Sequence, residues 1–312
     1  MHPTIVTAPH FDADADAAAL KAALEGAGTD EKAVIDILTN RTSNQRKAIL
    51  RAYNVDGQDL VSDLKGDLSG NFENLVVALM TPLEDFLATE LDQALEEPGN
   101  EDVLVEIICT RDNDSLRKIR KSYEVVFGKS LLMSLKKENA DEFFEKLLID
   151  LCHTDRDEGP ADEEVAPSLV KKLYRAGEGR AGVDEDEIRR ILANHSYSTL
   201  RLVFESYRKE YGKTLAEVME EELEGDFKKA MLAVYNSIQN TPAFFAQALN
   251  KAIEGLGTDD KALIRILVSR SEIDLATIKK EYKIIFNKPL EEDIKGDTSG
   301  YYEKMLLAIL TE

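Results

Sequence analysis

The chain has 312 residues, 60 of them acidic and 39 basic, which gives a formal charge of −21 at neutral pH. Such a surface repels nucleic acid and anionic lipid unless a cation intervenes, so either the partner is neutral or basic, or divalent metal is part of the binding. No apolar run is long enough to span a bilayer, and residues 1–11 lack a cationic segment followed by a hydrophobic one, so the sequence reads as soluble and unsecreted.

After a short tail (1–11), four segments of about seventy residues carry one pattern, at 12–81, 82–153, 167–240 and 241–312. An aromatic residue opens the last helix of each: Phe72, Phe144, Phe227 and Tyr302. Apolar residues follow at helical spacing, as in Leu75, Val76 and Leu79 or Met305, Leu306 and Ile309. A second apolar face recurs as Val34, Ile37 and Leu38, then Leu104, Ile107 and Ile108, then Ile188, Ile191 and Leu192, then Leu263, Ile266 and Leu267. No stretch alternates with period two for long enough to suggest a sheet. The predicted fold is all-α, with five short helices, A to E, in each segment. Between the second and third segments, 154–166 is polar, acidic and without apolar periodicity, and reads as a linker; Pro167 is placed to open the next helix. Shorter joins fall near Thr81-Pro82 and Asn240-Thr241-Pro242, so the chain divides two plus two or packs as four small units.

The turns between these helices carry the chemistry. In the fourth segment, Ile253-Glu254-Gly255-Leu256-Gly257-Thr258 joins helix A to helix B, and two glycines two apart let successive carbonyls point at one spot. A hard cation such as Ca²⁺ takes roughly six to eight oxygens, commonly with a carboxylate among them. Asp297, 40 residues after Gly257 in the D–E corner, is placed to supply it beside the carbonyls of Ile253, Gly255 and Gly257. The arrangement recurs in the first segment, with the carbonyls of Leu24, Gly26 and Gly28 and the carboxylate of Asp67, 39 residues after Gly28. It recurs again in the third, where the loop is one residue longer and the set is Gly177, Arg180, Gly182 and Glu222. The plain alternative is helix capping: Thr29-Asp30 and Thr258-Asp259 suit the N-terminus of helix B, and the D–E acids could cap helix E. The second segment departs from the pattern. Glu97 stands for the first glycine and Pro98 follows it, so no ordinary site is expected there even though Glu138 occupies the acidic position.

Four seventy-residue repeats, Gly-x-Gly-Thr turns, an acid some forty residues on, and Val268-Ser269-Arg270-Ser271-Glu272-Ile273-Asp274-Leu275 together resemble the annexins, over nearly the whole chain from Phe11 to Glu312. The resemblance implies a curved disc of four five-helix repeats whose convex face binds Ca²⁺ and settles on acidic phospholipid. It implies weaker secondary positions at the Thr29 carbonyl with Glu31 and the Thr258 carbonyl with Asp260. It also implies lipid contact at the turn tips Ala27, Ala181 and Leu256, and a polar passage lined by Glu90, Glu106, Arg111, Arg265, Arg270 and Asp274. The same resemblance points to a cytoplasmic protein that joins membranes peripherally when calcium rises; oligomerisation on the membrane and protein partners stay open.

No enzyme is expected. His2, His10, His153 and His195 show neither metal-ligand spacing nor a nucleophile partner, and Cys109 and Cys152 sit in apolar helical patterns as packed thiols. The rival reading from another class is a helical-repeat scaffold for proteins, its glycine turns serving only as corners.

Overall fold

The computed structural model describes residues 2–26, 28–55, 57–136, 141–179, 182–255 and 257–311. Among these residues every regular element is helical. The first repeat comprises α1 (Ala13–Leu24), α2 (Glu31–Leu38), α3 (Ser43–Tyr53), α4 (Leu60–Asp67) and α5 (Gly70–Met80). The second comprises α6 (Leu83–Glu96), α7 (Glu101–Ile108), α8 (Asn113–Phe127), α9 (Leu131–Ser134) and α10 (Glu142–His153). Then follow α11 (Ala166–Ala176), α12 (Glu185–Asn194), α13 (Tyr197–Tyr211), α14 (Leu215–Glu222) and α15 (Gly225–Ile253). The chain ends with α16 (Asp260–Arg270), α17 (Leu275–Phe286), α18 (Leu290–Asp297) and α19 (Gly300–Ile309).

The long α15 is two helices joined at a kink, where Asn240 leaves helical geometry (φ −156°, ψ 91°) and its Oδ1 accepts from Ala243 N at 3.1 Å. An Asn cap followed by Pro242 is a standard start for a new helix, and here it opens helix A of the fourth repeat. Elsewhere the starts are set by side-chain caps. Asp30, Asp184 and Asp259 each accept a backbone N–H in the first turn of helix B, while Thr42 with Gln45 and Thr214 with Glu217 form reciprocal capping boxes. Helix C ends in the left-handed region at Gly128, Gly212 and Asn287, residues that tolerate positive φ.

The periodic faces form the core. Phe72, Phe144, Phe227 and Tyr302 are buried, as are the apolar residues that follow each of them. Of the twelve helix-B positions only Ile37 is half-exposed. The chain forms two compact units, 1–86 with 245–312 and 87–244, so the first repeat is grouped with the fourth and the second with the third. Within the first of these units α5 packs on α16 and α19 on α2; within the second, α10 packs on α12. The acidic linker therefore lies inside the second unit and does not separate halves. It is pinned there: Asn113 Nδ2 donates to Arg156 O at 2.7 Å, Asp157 N to Asn194 O at 2.8 Å, and the buried Arg156 guanidinium donates to His195 O at 3.0 Å. The tail is laced onto the first unit, with Thr4 N and Ile5 N both donating to Ser271 O and the Ile5 side chain buried. Cys109 and Cys152 are free, fully buried thiols; burial pushes both up, Cys152 to about 12, which keeps them unreactive.

Candidate functional site

The three candidate A–B turns close in the same way. Asp30 N donates to Ala23 O, Asp184 N to Ala176 O and Asp259 N to Ala252 O, each at 2.8 Å. The extra residue of the third turn is absorbed inside that closure. Gly26, Gly28, Gly182, Gly255 and Gly257 have φ between +83° and +141°, and a Cβ on any of them would meet nothing within 4 Å. These glycines are therefore required by backbone conformation and not by crowding, and the loops stand open to solvent. Gly177 and Gly179 differ: a Cβ at Gly177 would lie 3.0 Å from Val218 Cγ1, and one at Gly179 would lie 2.9 Å from Tyr174 O. The third turn is thus packed down onto α14, the helix that ends in Glu222.

The three D–E acids share one position. Asp67, Glu222 and Asp297 are the last residues of α4, α14 and α18, all exposed, each followed three residues later by a positive-φ glycine that opens helix E. Asp67 and Asp297 are not at the N-cap of helix E, a position held in α5 and α19 by Ser69 and Ser299, which make no side-chain cap bond. A carboxylate at a helix C-terminus faces the negative end of the helix dipole, an unfavourable place by a few tenths to about 1 kcal/mol. Capping does account for Asp30, Asp184 and Asp259, which cap helix B in the ordinary way.

Side chains link turn and corner in the third and fourth repeats. In the fourth, Thr258 Oγ1 donates to Asp297 O at 3.5 Å. In the third, Lys213 Nζ bridges Glu178 in the turn (3.5 Å) and Glu221 beside the corner acid (2.8 Å). In the first, the buried Tyr53 hydroxyl donates to Asp63 at 2.9 Å; burial, that bond and the nearby charges of Asp63, Glu25 and Asp67 push its pKa up to about 12. Each repeat has such a tyrosine near the end of helix C, bonded to an acid of the same repeat. Tyr123 donates to Asp92 (2.5 Å), Tyr207 to Glu178 (3.0 Å) and Tyr282 to Asp293, and burial raises the pKa of each. A lysine follows at one register, Lys129, Lys213 or Lys288, paired with the same acid; the first repeat has Gln58 there instead. Sequence reading missed this brace, although Tyr-x-x-x-Phe/Tyr-Gly/Asn-Lys recurs three times.

In the second repeat Asn100 Nδ2 donates to Glu97 Oε2 at 3.2 Å and Gly99 N to Glu101 Oε1 at 3.4 Å, so the carboxylates there are turned to their own loop. Of the expected site residues, Ala27, Glu138, Arg180, Ala181 and Leu256 lie outside the described residues. Asp260 accepts from Asn71 Nδ2 at 2.5 Å, and Glu31 lines a cleft with Asp67. Of the charged residues expected along a passage, Arg270 and Asp274 form a bidentate pair (2.7 and 2.6 Å) with the Asp274 carboxylate fully buried and the guanidinium 4.5 Å from the Phe245 ring centroid. Arg111, buried in the other unit, donates to the Glu106 and Ile107 carbonyls. Arg265 and Glu106 are buried as well, while Glu90 is partly exposed.

The chain was compared with known proteins. The annexin family model matches it four times, at residues 15–79, 86–151, 170–234 and 244–309. The chain is an annexin. It is 42% identical to rabbit (Oryctolagus cuniculus) annexin A11 over 309 residues, 98% of this chain, and spans about three fifths of that relative's length (61%). The solved structure of annexin III matches at a TM-score of 0.96 and 42% identity, covering 100% of this annexin and 98% of that chain. A calcium-bound annexin (Sm)1 structure matches at 0.90 and 35% identity, covering 100% and 93%. The all-α fold of four repeats is that of the family, whose members bind phospholipid in a calcium-dependent way. Among the described residues of this annexin no three His, Cys, Asp or Glu side chains converge, and no helix is long and apolar enough to cross a membrane.

Proposed function

We propose that this annexin binds acidic phospholipid surfaces through calcium ions held at three of its four repeats, bounded at 12–81, 82–153, 167–240 and 241–312. The carbonyls of Leu24, Gly26 and Gly28 with Asp67 would hold one ion; Gly177, Arg180 and Gly182 with Glu222 a second; Ile253, Gly255 and Gly257 with Asp297 a third. Bound calcium supplies the positive charge that joins an acidic protein to an acidic lipid face, with coordination positions left for water and a phosphoryl oxygen. The observation that carries the reading is the thrice-repeated carboxylate at the C-terminus of helix D, against the helix dipole and beside an open, positive-φ glycine turn. Calcium-bound annexin (Sm)1 supports it by likeness.

The chain's own residues do the rest. The Ala–Asp closing bonds set the loop, positive φ at Gly26, Gly28, Gly182, Gly255 and Gly257 lets it turn, and in the third repeat Tyr207 ties Glu178 of the turn to helix C. Single sites that leave so many positions to solvent are weak, on the order of 10⁻⁴ to 10⁻³ M, and several acting together gain by avidity. Thr29 with Glu31 and Thr258 with Asp260 are proposed as secondary positions, and Ala27, Ala181 and Leu256 as lipid contacts. No catalysis is assigned. The protein would act in the cytoplasm and move to membranes as calcium rises. Pelleting with phosphatidylserine vesicles tests this: calcium should bring the protein down and chelator should release it. Pelleting indifferent to chelator would refute the proposal and favour a protein-binding scaffold.

A further inference from the structure

Among the described residues, large apolar side chains stand exposed together on helix C of two repeats. In the second, Val125 (77% exposed) and Val126 lie two and three residues after the buried Tyr123 of α8. In the fourth, Ile284 (74% exposed) and Ile285 hold the same places after the buried Tyr282 of α17. One helical turn earlier on the same face, four residues before Val125 or Ile284, stands an exposed lysine, Lys121 or Lys280. Lys118, paired with Asp114 at 2.7 Å, and the exposed Lys283 widen the basic side. α8 has four basic residues against two acidic ones and α17 three against one, in a chain with 60 acidic and 39 basic, so each stripe locally reverses the charge of the protein. These stripes are not distributed like the proposed calcium sites. The second repeat, where no ordinary site is expected, has one; the third, with a proposed site, has Glu205, Lys209 and Glu210 at the equivalent positions. The first keeps Arg51 and Val55 but continues with Asp56. A surface serving the same membrane contact would accompany the turns.

We infer that helix C of the second and fourth repeats is a docking surface for an acidic amphipathic helix of a partner protein. Aliphatic residues of that helix, at three- and four-residue spacing, cover Val125 and Val126 or Ile284 and Ile285, while its carboxylates meet Lys121 or Lys280. Charge selects this occupant. A basic or neutral helix would leave the lysines unmatched, and an acidic segment without aliphatic residues would leave the valines and isoleucines in water. The acidic body of the protein repels such a helix at long range, but salt screens that repulsion beyond about 10 Å, so the match of side chains at contact decides the binding. Docking here requires no calcium and stands apart from the membrane reading proposed above.

The test uses the full chain in chelator and two labelled synthetic peptides of one composition, the first with Leu at amphipathic helical spacing and Glu between, the second scrambled. Fluorescence anisotropy gives affinity and stoichiometry. The amphipathic peptide should bind at two per chain and about tenfold more tightly than the scrambled one. Val125→Ser with Val126→Ser should reduce the stoichiometry to one, and adding Ile284→Ser with Ile285→Ser should remove the remainder. All four side chains are exposed, so the thermal midpoint should stay at the wild-type value. Lys121→Glu with Lys280→Glu should weaken binding about tenfold. Calcium-dependent vesicle pelleting should be the same in every variant as in wild type; its absence from wild type itself would fault only the calcium reading. Equal binding of the scrambled peptide, equal binding of a peptide with Lys in place of Glu, or binding that survives the serine substitutions would overturn the docking surface. Vesicle pelleting that falls in the variants would make the stripes a membrane contact. Self-association of wild type in sedimentation velocity, lost in the serine variants, would make a second copy the occupant. Either result would overturn the assignment to a partner helix.

Discussion

Replacing the three D–E acids together, as Asp67→Asn, Glu222→Gln and Asp297→Asn, should make the protein more stable without calcium and less stable with it. Each acid is exposed and terminates a helix of eight residues, α4, α14 or α18. Removing its charge relieves about 0.3–1 kcal/mol of dipole repulsion. The sites lie in different repeats and share no partner, so the three effects should add to about 1–3 kcal/mol. For a chain of this length that raises the apo midpoint by about 1–5 °C. Calcium at ten times its dissociation constant stabilises each wild-type site by about 1.4 kcal/mol, about 4 kcal/mol over three, and the triple variant should gain none of it. Thermal unfolding followed by circular dichroism, in chelator and in excess calcium, reads both signs from one pair of proteins. A triple variant that melts below wild type in chelator would mean that the acids hold the fold through contacts of their own. One that gains as much as wild type from calcium would mean that the ion binds elsewhere.

Other predictions concern the frame around the sites. Arg270→Met should destabilise by about 3–5 kcal/mol because it strands the fully buried Asp274 carboxylate, whereas Arg270→Met with Asp274→Leu should recover most of the loss in urea unfolding. Gly257→Ala should cost about 1–2 kcal/mol from conformation alone, since φ is +105° and no atom obstructs a Cβ, and the calcium concentration needed for vesicle pelleting should rise with it. Tyr53 ionises near 10 when unfolded and at about 12 in the fold. Its contribution is therefore complete below pH 10 and lost as pH rises from 10 through 12; Tyr53→Phe should flatten the fall of stability across that window in denaturant titrations.

Much of this protein could be read from its residues alone, because an amphipathic helix and a glycine turn are local facts. The buried faces of helices B and E follow from their spacing, the four repeats from recurrence, and the kink at Asn240 from Asn-Thr-Pro, an Asn cap followed by proline. The carboxylate positions were legible too, since an interval of 39 or 40 residues between turn and acid repeats three times. Whether those acids cap helix E or end helix D was not legible, as both readings use the same residue types. Only backbone geometry separates them, by placing Asp67, Glu222 and Asp297 at the C-termini. Pairing was likewise a matter for tertiary structure. The polar linker suggested a cut between the second and third repeats, yet its buried Arg156 and its backbone bonds to Asn113 and Asn194 tie it into one unit with both. Non-local contacts, such as a tyrosine bracing a turn thirty residues away or a cleft shared by the first and fourth repeats, depend on how helices pack in space, and no local pattern in the chain encodes that.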